Sequence, residues 1–370
     1  MAALLGLAIK YNPLLIAVFI ISLALTHTFV DAIPSIFLGA PDADMAIAAL
    51  PGHKMLLMGK GYEAVKLTVV GSFLCLLVIL AFIPFLVEYI PELYAFISPY
   101  IGYILIFIAL WMILLERGIR KKFLALYIII QSGVFGLLVL NLPNLRQPLF
   151  PMFTGLFGIS TLLLSFGKNS KIPEQKKRRH VRVGLLRTFK AVISGTVAGS
   201  ITGLFPGIGS GQASIIGMLM AGRRIGKRAL LIVLGGANTV NFAFSLATFY
   251  AIDKARNGAI IAVREVVEKI SFNELMLFIS VSLIAGSMAV FLALGLGKVF
   301  SSFMQKVNYR IMVTAIMVFI FVMVFLISGL IGLIVLLTAT FVGIMPALLN
   351  VKRSHNMGSL LIPVILYFLV

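Results

Sequence analysis

Phe205-Pro206-Gly207-Ile208-Gly209-Ser210-Gly211-Gln212 cuts through an otherwise apolar region of this 370-residue chain. A second interruption, Asp31-Ala-Ile-Pro-Ser-Ile-Phe-Leu-Gly-Ala-Pro-Asp-Ala-Asp44, lies in the first half. Proline lacks the amide hydrogen a helix needs, and glycine loses the most conformational freedom when held in one, so neither stretch reads as unbroken helix. Backbone that leaves the helix at membrane depth survives only where protein or a water-filled cavity satisfies its polar groups. Two such breaks, one in each half, are the sequence pointer to a transporter's binding site.

Composition supplies the membrane. Hydrophobic residues make up 61% of the chain and charged residues 12%, against about 25% charged in a soluble domain. The mean hydropathy is +1.11. Apolar segments of the length needed to cross about 30 Å of hydrocarbon recur from end to end. They lie near 13–30, 65–87, 97–115, 123–140, 148–166, 228–252, 272–297 and 311–349, the last long enough for two crossings. The fold class expected is an all-α polytopic membrane protein of about 9–11 transmembrane segments, with Pro13–Val30 retained as a span rather than removed as a signal peptide.

The net charge of +19 does not indicate nucleic acid, because Lys and Arg cluster in short loops between apolar segments instead of forming a basic face interleaved with aromatics. Residues 168–190 hold Lys168, Lys171, Lys176, Lys177, Arg178, Arg179, Arg182, Arg187 and Lys190 against Glu174 alone. By the positive-inside rule this linker is cytoplasmic, together with the loops carrying Lys54/Lys60/Lys66, Arg117/Arg120/Lys121/Lys122 and Arg223/Arg224/Lys227/Arg228, in a protein of the cytoplasmic membrane. The acidic connection Glu88–Glu92 and the loop Asn141–Gln147 then face outward.

The linker divides the chain into a first transmembrane half (1–166, with its broken segment at 31–51), the linker itself (167–188) and a second half (189–370, broken at 203–221). Gln131-Ser-Gly-Val-Phe-Gly-Leu-Leu-Val-Leu140 matches Ile327-Ser-Gly-Leu-Ile-Gly-Leu-Ile-Val-Leu336, which suggests two similar halves, each with a re-entrant Gly-Pro hairpin, in a repeat of about 180 residues. Chance matching of Gly/Leu/Val strings is the competing explanation.

At the second break, alternate glycines allow close approach of backbone to a ligand, and a helix starting near Gln212 would aim its free N–H groups at an anion. Gly207, Gly209, Ser210, Gly211 and Gln212 are the candidate substrate ligands there, with Gly39 from the first break. A Gly-rich helix crossing or a simple loop between two spans is the competing explanation, against which Pro206 and three glycines in one run weigh. Asp42 and Asp44, spaced i, i+2, do not share a helical face and suit a loop or helix cap, either as carriers of a coupling H⁺ or Na⁺ or as N-caps alone. Asp31 and His27 form a further polar pair about one helical turn apart. Asn238 and Asn241 share one face of a helix, where they serve as interhelical contacts or as path-lining residues. No catalytic constellation appears. The four histidines lack metal spacing, no Ser or Cys nucleophile adjoins a base, and the single Cys75 excludes an intramolecular disulfide or a Cys-based metal site. No cofactor is implied beyond the coupling ion.

The segments 31–65, 148–166, 199–214 and 235–263 resemble the TctA-type large permease family of tripartite tricarboxylate transporters, and its archaeal branch most. In that family the large membrane subunit carries citrate-like carboxylates, works with a small membrane subunit and a solute-binding protein, and is driven by an ion gradient. The resemblance implies that Pro206–Gln212 supplies one half of the substrate site and Gly39–Asp44 the other. The Pro-Gly-x-Gly-Ser-Gly pattern is also similar to the polyprenyl-phosphate flippases, because an N–H cradle binds carboxylate and phosphate alike. The expected function is secondary active transport of a small organic anion. A lipid-phosphate flippase and a non-transporting membrane scaffold are the alternatives, and the scaffold would have no use for carboxylates at membrane depth.

Overall fold

The computed structural model describes residues 12–37, 46–166, 173–175, 181, 183–204, 209–222, 225–255, 257–304 and 309–369. Among them there is no strand, and six stretches are long and apolar enough to cross a membrane. The chain is therefore a polytopic, all-helical membrane protein, as its composition requires.

Asn12 caps helix α1 (Pro13–Val30) by accepting from the Leu14 amide at 2.9 Å, with Pro13 at the position where a missing N–H costs nothing. The chain turns at Asp31 and continues as α2 (Ala32–Phe37), so Pro13–Phe37 is one 25-residue apolar span. The bend has a local cause, since Pro34 cannot donate to the carbonyl of Val30. Residues 32–37 of the expected first break are thus helical, and Asp31 lies inside a span. Helix α3 (Ala46–Leu56) follows, with Gly52 and His53 against Ile36.

Helix α4 (Gly61–Leu86) leads through a 3-10 turn into α5 (Ile90–Ile97), then through a second into α6 (Ile101–Leu114). This apolar run of 54 residues far exceeds the roughly 20 needed for one crossing. Helix α7 (Ile119–Leu140) precedes a composite segment of α8 (Leu149–Phe153), a π-helical stretch (Thr154–Ile159) and α9 (Ser160–Phe166). In the second half come α10 (Leu185–Leu204), α11 (Ser210–Ala221), α12 (Lys227–Ile252) and the short α13 (Gly258–Val267). Helix α10 starts at Leu185, so the end of the supposed linker is already helical. A Ser271/Glu274 capping box starts α14 (Phe272–Phe303). Helix α15 (Tyr309–Leu348) is two helices joined at Gly329, whose φ of 66° and ψ of −162° break the spiral. A 3-10 turn (Arg353–Met357) and α16 (Gly358–Leu369) close the described chain.

Helix α12 is the centre. Of its apolar window 89% is buried, against 28–44% for the other five spans, which face lipid with much of their surface. Glycines let its neighbours approach to backbone contact. A Cβ on Gly71 of α4 would lie 2.7 Å from the Ile232 carbonyl carbon, and one on Gly235 would lie 2.9 Å from that of Thr68. Gly195, Gly199 and Gly203, spaced four apart on α10, abut Val233, Ala237 and Asn241 in turn, which is small-residue packing of the kind used where no hydrophobic force separates helix from lipid. The strings matched between 131–140 and 327–336 diverge here: Gly133 stays helical beside Ile362, whereas its counterpart Gly329 forms the kink.

Loop contacts bring three of the basic connections together. Gln175 of the linker, 3% exposed, accepts from the Gly61 amide at 2.9 Å and donates to Leu56 O at 3.0 Å. Arg228, in the first turn of α12, meets the buried Glu63 in the first turn of α4 at 2.5 Å. On the opposite end, Lys254 donates to the Tyr94 hydroxyl at 2.9 Å, joining the loop after α12 to the acidic connection after α4.

Candidate functional site

A seam of polar side chains crosses the molecule halfway along α12. Thr239 lies about 18–20 Å from either end of that helix at 1.5 Å per residue. From α1, Thr28 gives its hydroxyl proton to Leu25 O at 2.8 Å and so accepts from the Thr239 hydroxyl at 3.1 Å. One turn further on, the Asn238 amide donates to Asp31 Oδ2 at 2.7 Å and, more weakly, to Thr28 O at 3.4 Å. Asp31 is 6% exposed and Asn238 4%. A carboxylate at this depth is costly, and its amide partner recovers only part of its hydration.

Further along α12, Asn241 donates to the Thr202 hydroxyl of α10 at 2.9 Å, and Thr248 donates to Gly203 O at 3.0 Å. These bonds fix the end of α10 against the middle of α12. Helix α11 returns alongside, with Gly217 against Val233 and Ala198. Its first residues consequently lie near the same level as the Asp31–Asn238 pair.

At that N-terminus Gly209 is extended (φ −88°, ψ −178°), and its amide donates to Gln212 Oε1 at 3.0 Å. Gln212 therefore spends its side-chain oxygen on capping its own helix. The amides of Ser210, Gly211 and Gln212 head the helix without intrahelical acceptors, as every first turn must. Ser210 and Ser214, four apart on one face, are both buried, and their hydroxyls have no hydrogen-bond partner among the described residues. First-turn N–H groups, a helix dipole and two hydroxyls without partners among the described residues are chemistry that suits an anion.

Of the residues expected from sequence, Gly209, Ser210, Gly211 and Gln212 head α11, near the level of Asn238 and Asn241 in the middle of α12. Gly39, Asp42, Asp44 and Gly207 lie outside the described residues. Both asparagine amides are engaged between helices, Asn238 with Asp31 and Asn241 with Thr202. The sequence reading set Asp31 beside His27, but His27 is exposed while Asp31 turns inward to Asn238. Thr28, Asp31 and Thr202 were not among the site candidates. The i, i+3 spacing of Thr28 and Asp31 within an apolar span was the available signal.

A polytopic helical membrane protein, with a polar seam halfway through its most buried helix and a helix N-terminus near the same level, is the class these features define. A family model described as "Tripartite tricarboxylate transporter TctA family" matches residues 1–358. The chain belongs to that family, a family of transporters and not of enzymes, whose members in general work within tripartite systems. It is also 32% identical over 360 residues to the uncharacterized protein MJ1079 of Methanocaldococcus jannaschii, covering 95% of this chain and 88% of that protein. No solved structure matches.

Proposed function

We propose that this protein is a secondary active transporter that carries a small organic anion, a carboxylate, across the cytoplasmic membrane in exchange for energy from an ion gradient. The observation that carries the proposal is the Asp31 carboxylate held by Asn238 halfway along α12, near the level of the N-terminus of α11. The anion is read as docking on the amides of Gly209, Ser210 and Gly211 and on the Ser210 hydroxyl, with Gly207 and Gly39 from the two broken segments completing the cradle. Asp31 adds a carboxylate whose charge a proton or Na⁺ neutralises during the cycle, alongside Asp42 and Asp44. We read the two broken segments as re-entrant hairpins entering from the basic, cytoplasmic face. The family's general arrangement supports a small membrane subunit and a solute-binding protein as partners.

Uptake of labelled citrate and related carboxylates into proteoliposomes, with imposed Na⁺ or H⁺ gradients, tests this. Wild type is expected to accumulate label with one gradient, Gly209→Val to lose uptake, and Asp31→Asn to retain exchange while losing gradient-driven accumulation. Gradient-independent uptake unchanged by both substitutions would refute the site. Absence of carboxylate uptake, with translocation of a polyprenyl phosphate in the same vesicles, would establish the lipid-phosphate reading instead.

A further inference from the structure

A second polar cluster lies away from α10, α11 and α12, where the chain leaves α15 and enters the 3-10 turn Arg353–Met357. Glu116, in the loop after α6, accepts from the Lys352 amide at 3.1 Å and from His355 Nε2 at 3.0 Å, with Lys352 Nζ 3.8 Å away. Burial lowers the His355 pKa, although Glu116 pulls the other way, so the ring is neutral and donates through Nε2. Glu116 and Lys352 thus cancel each other's charge. The adjacent Arg353 is left over.

Arg353 reaches instead into the π-helical stretch. Its Nη1 donates to the Thr161 hydroxyl at 2.5 Å, and its Nη2 donates to Leu156 O at 3.4 Å and to the Ser160 hydroxyl. The π-helix explains the socket: widening the spiral frees carbonyls from their usual i+4 donors. Leu156 O accepts from Ser160 Oγ at 2.6 Å as well as from Arg353. All three partners of the guanidinium are neutral oxygens, and its Nε is buried with no partner among the described residues. Burial lowers its pKa only to about 10, so it remains charged at neutral pH. A half-buried cation that neutral acceptors hold in place, with its buried Nε–H uncommitted, is a charge prepared for a counter-ion.

We propose that Arg353, with Ser160 and Thr161, forms a second anion site that takes the oxyanion of a carboxylate or phosphate group. The Nε–H donates to one oxygen, and the hydroxyls, which can rotate off the helix carbonyls, donate to others. The site stands whether or not the anion at α11 is the transported one, because none of its ligands lies on α10, α11 or α12.

The test is anion binding to purified full-length protein in detergent, by calorimetry with inorganic phosphate and with citrate, and by native mass spectrometry with phosphatidylglycerol. Wild type is expected to bind at least one of the three. Arg353→Gln should weaken that binding by about tenfold or more, because a charge-assisted bond and its charge are lost together. Arg353→Lys should weaken it by roughly threefold, since ammonium keeps the charge but not the fork. Binding of phosphate or citrate identifies a solute as the source of the oxyanion. Binding of phosphatidylglycerol alone identifies a lipid headgroup. Equal binding by wild type and Arg353→Gln overturns the proposal, as does loss of binding in Gly209→Val but not in Arg353→Gln. Should Arg353→Gln not fold, Arg353→Lys and Thr161→Val decide, and unchanged affinity in both overturns the proposal.

Discussion

Gly71→Ala separates close helix contact from every other source of stability in the central pair. An added Cβ would sit 2.7 Å from the carbonyl carbon and Cα of Ile232, where ordinary contact begins at 3.4 Å. These are backbone atoms of the most buried helix, so no side chain can rotate aside and α12 must move as a body. Overpacking of this kind costs about 1–3 kcal/mol. The Ser72 hydroxyl bond to Gly235 O, 3.1 Å long, stretches with the same displacement, at a further cost of about 1 kcal/mol. Against this, alanine gains about 0.5–1 kcal/mol over glycine inside a helix. The expected net is a loss of about 1–3 kcal/mol by these terms together. Gly295→Ala on α14, where a Cβ would meet nothing within 4 Å, is the control and should be neutral or stabilising. Gly235→Ala, which collides with Thr68 across the same crossing, should lower stability too. The double variant should lose less than the two losses combined, because one separation of the helices relieves both clashes. Reversible unfolding in detergent measures all four. If Gly71→Ala proves as stable as Gly295→Ala, the α4–α12 contact is not close enough to matter, and the reasoning fails.

Acid should destabilise the docking of Arg353–Met357. His355 has a pKa below its ordinary 6.5 because of burial, so the unfolded chain takes up that proton first and stability falls as pH drops through 6.5. For Glu116 burial raises the pKa, but the hydrogen bonds from His355 and the Lys352 amide and the Lys352 charge outweigh it, so stability falls again as pH drops below its ordinary 4.5. His355→Gln should remove the upper part of this acid limb in a pH series of unfolding midpoints, and an unchanged limb would assign it elsewhere. Gly329→Ala should cost about 1–3 kcal/mol from backbone strain alone, since a Cβ there meets nothing within 4 Å; stability equal to wild type would mean that α15 straightens freely. Gln175→Ala leaves the buried Gly61 amide without its acceptor and removes one of the two donors to the Leu56 carbonyl, and trypsin should then cut the linker at Lys176–Arg179 faster than in wild type. Unaltered cleavage would show that the linker is held by other contacts.

The membrane class was legible because it is a property of composition, and composition survives any arrangement of the segments. The start of α11 was legible too. Pro206 and three glycines must interrupt a helix, and Gln212 lies where a helix can resume, as the bond from the Gly209 amide to Gln212 Oε1 confirms locally. The kink in α15 was visible only as excess length. Nothing in Ile327–Leu336 distinguishes Gly329 from Gly133, because what differs is the neighbour: Ser328 donates to Arg146 O at 2.8 Å across the turn, whereas Gly133 packs on Ile362.

Sequence by itself determined that the chain lives in a bilayer, that a new helix starts near Ser210, and that its charge is sorted into loops, since each follows from local chemistry or from hydrophobicity summed along the chain. Only the tertiary structure decided that α12 is the buried centre, that Asp31 pairs with Asn238 some two hundred positions away, and that Arg353 finds its acceptors in a π-helix. Those are choices of partner among many chemically similar residues, and they are made by which helix faces fit together closely enough to exclude everything else.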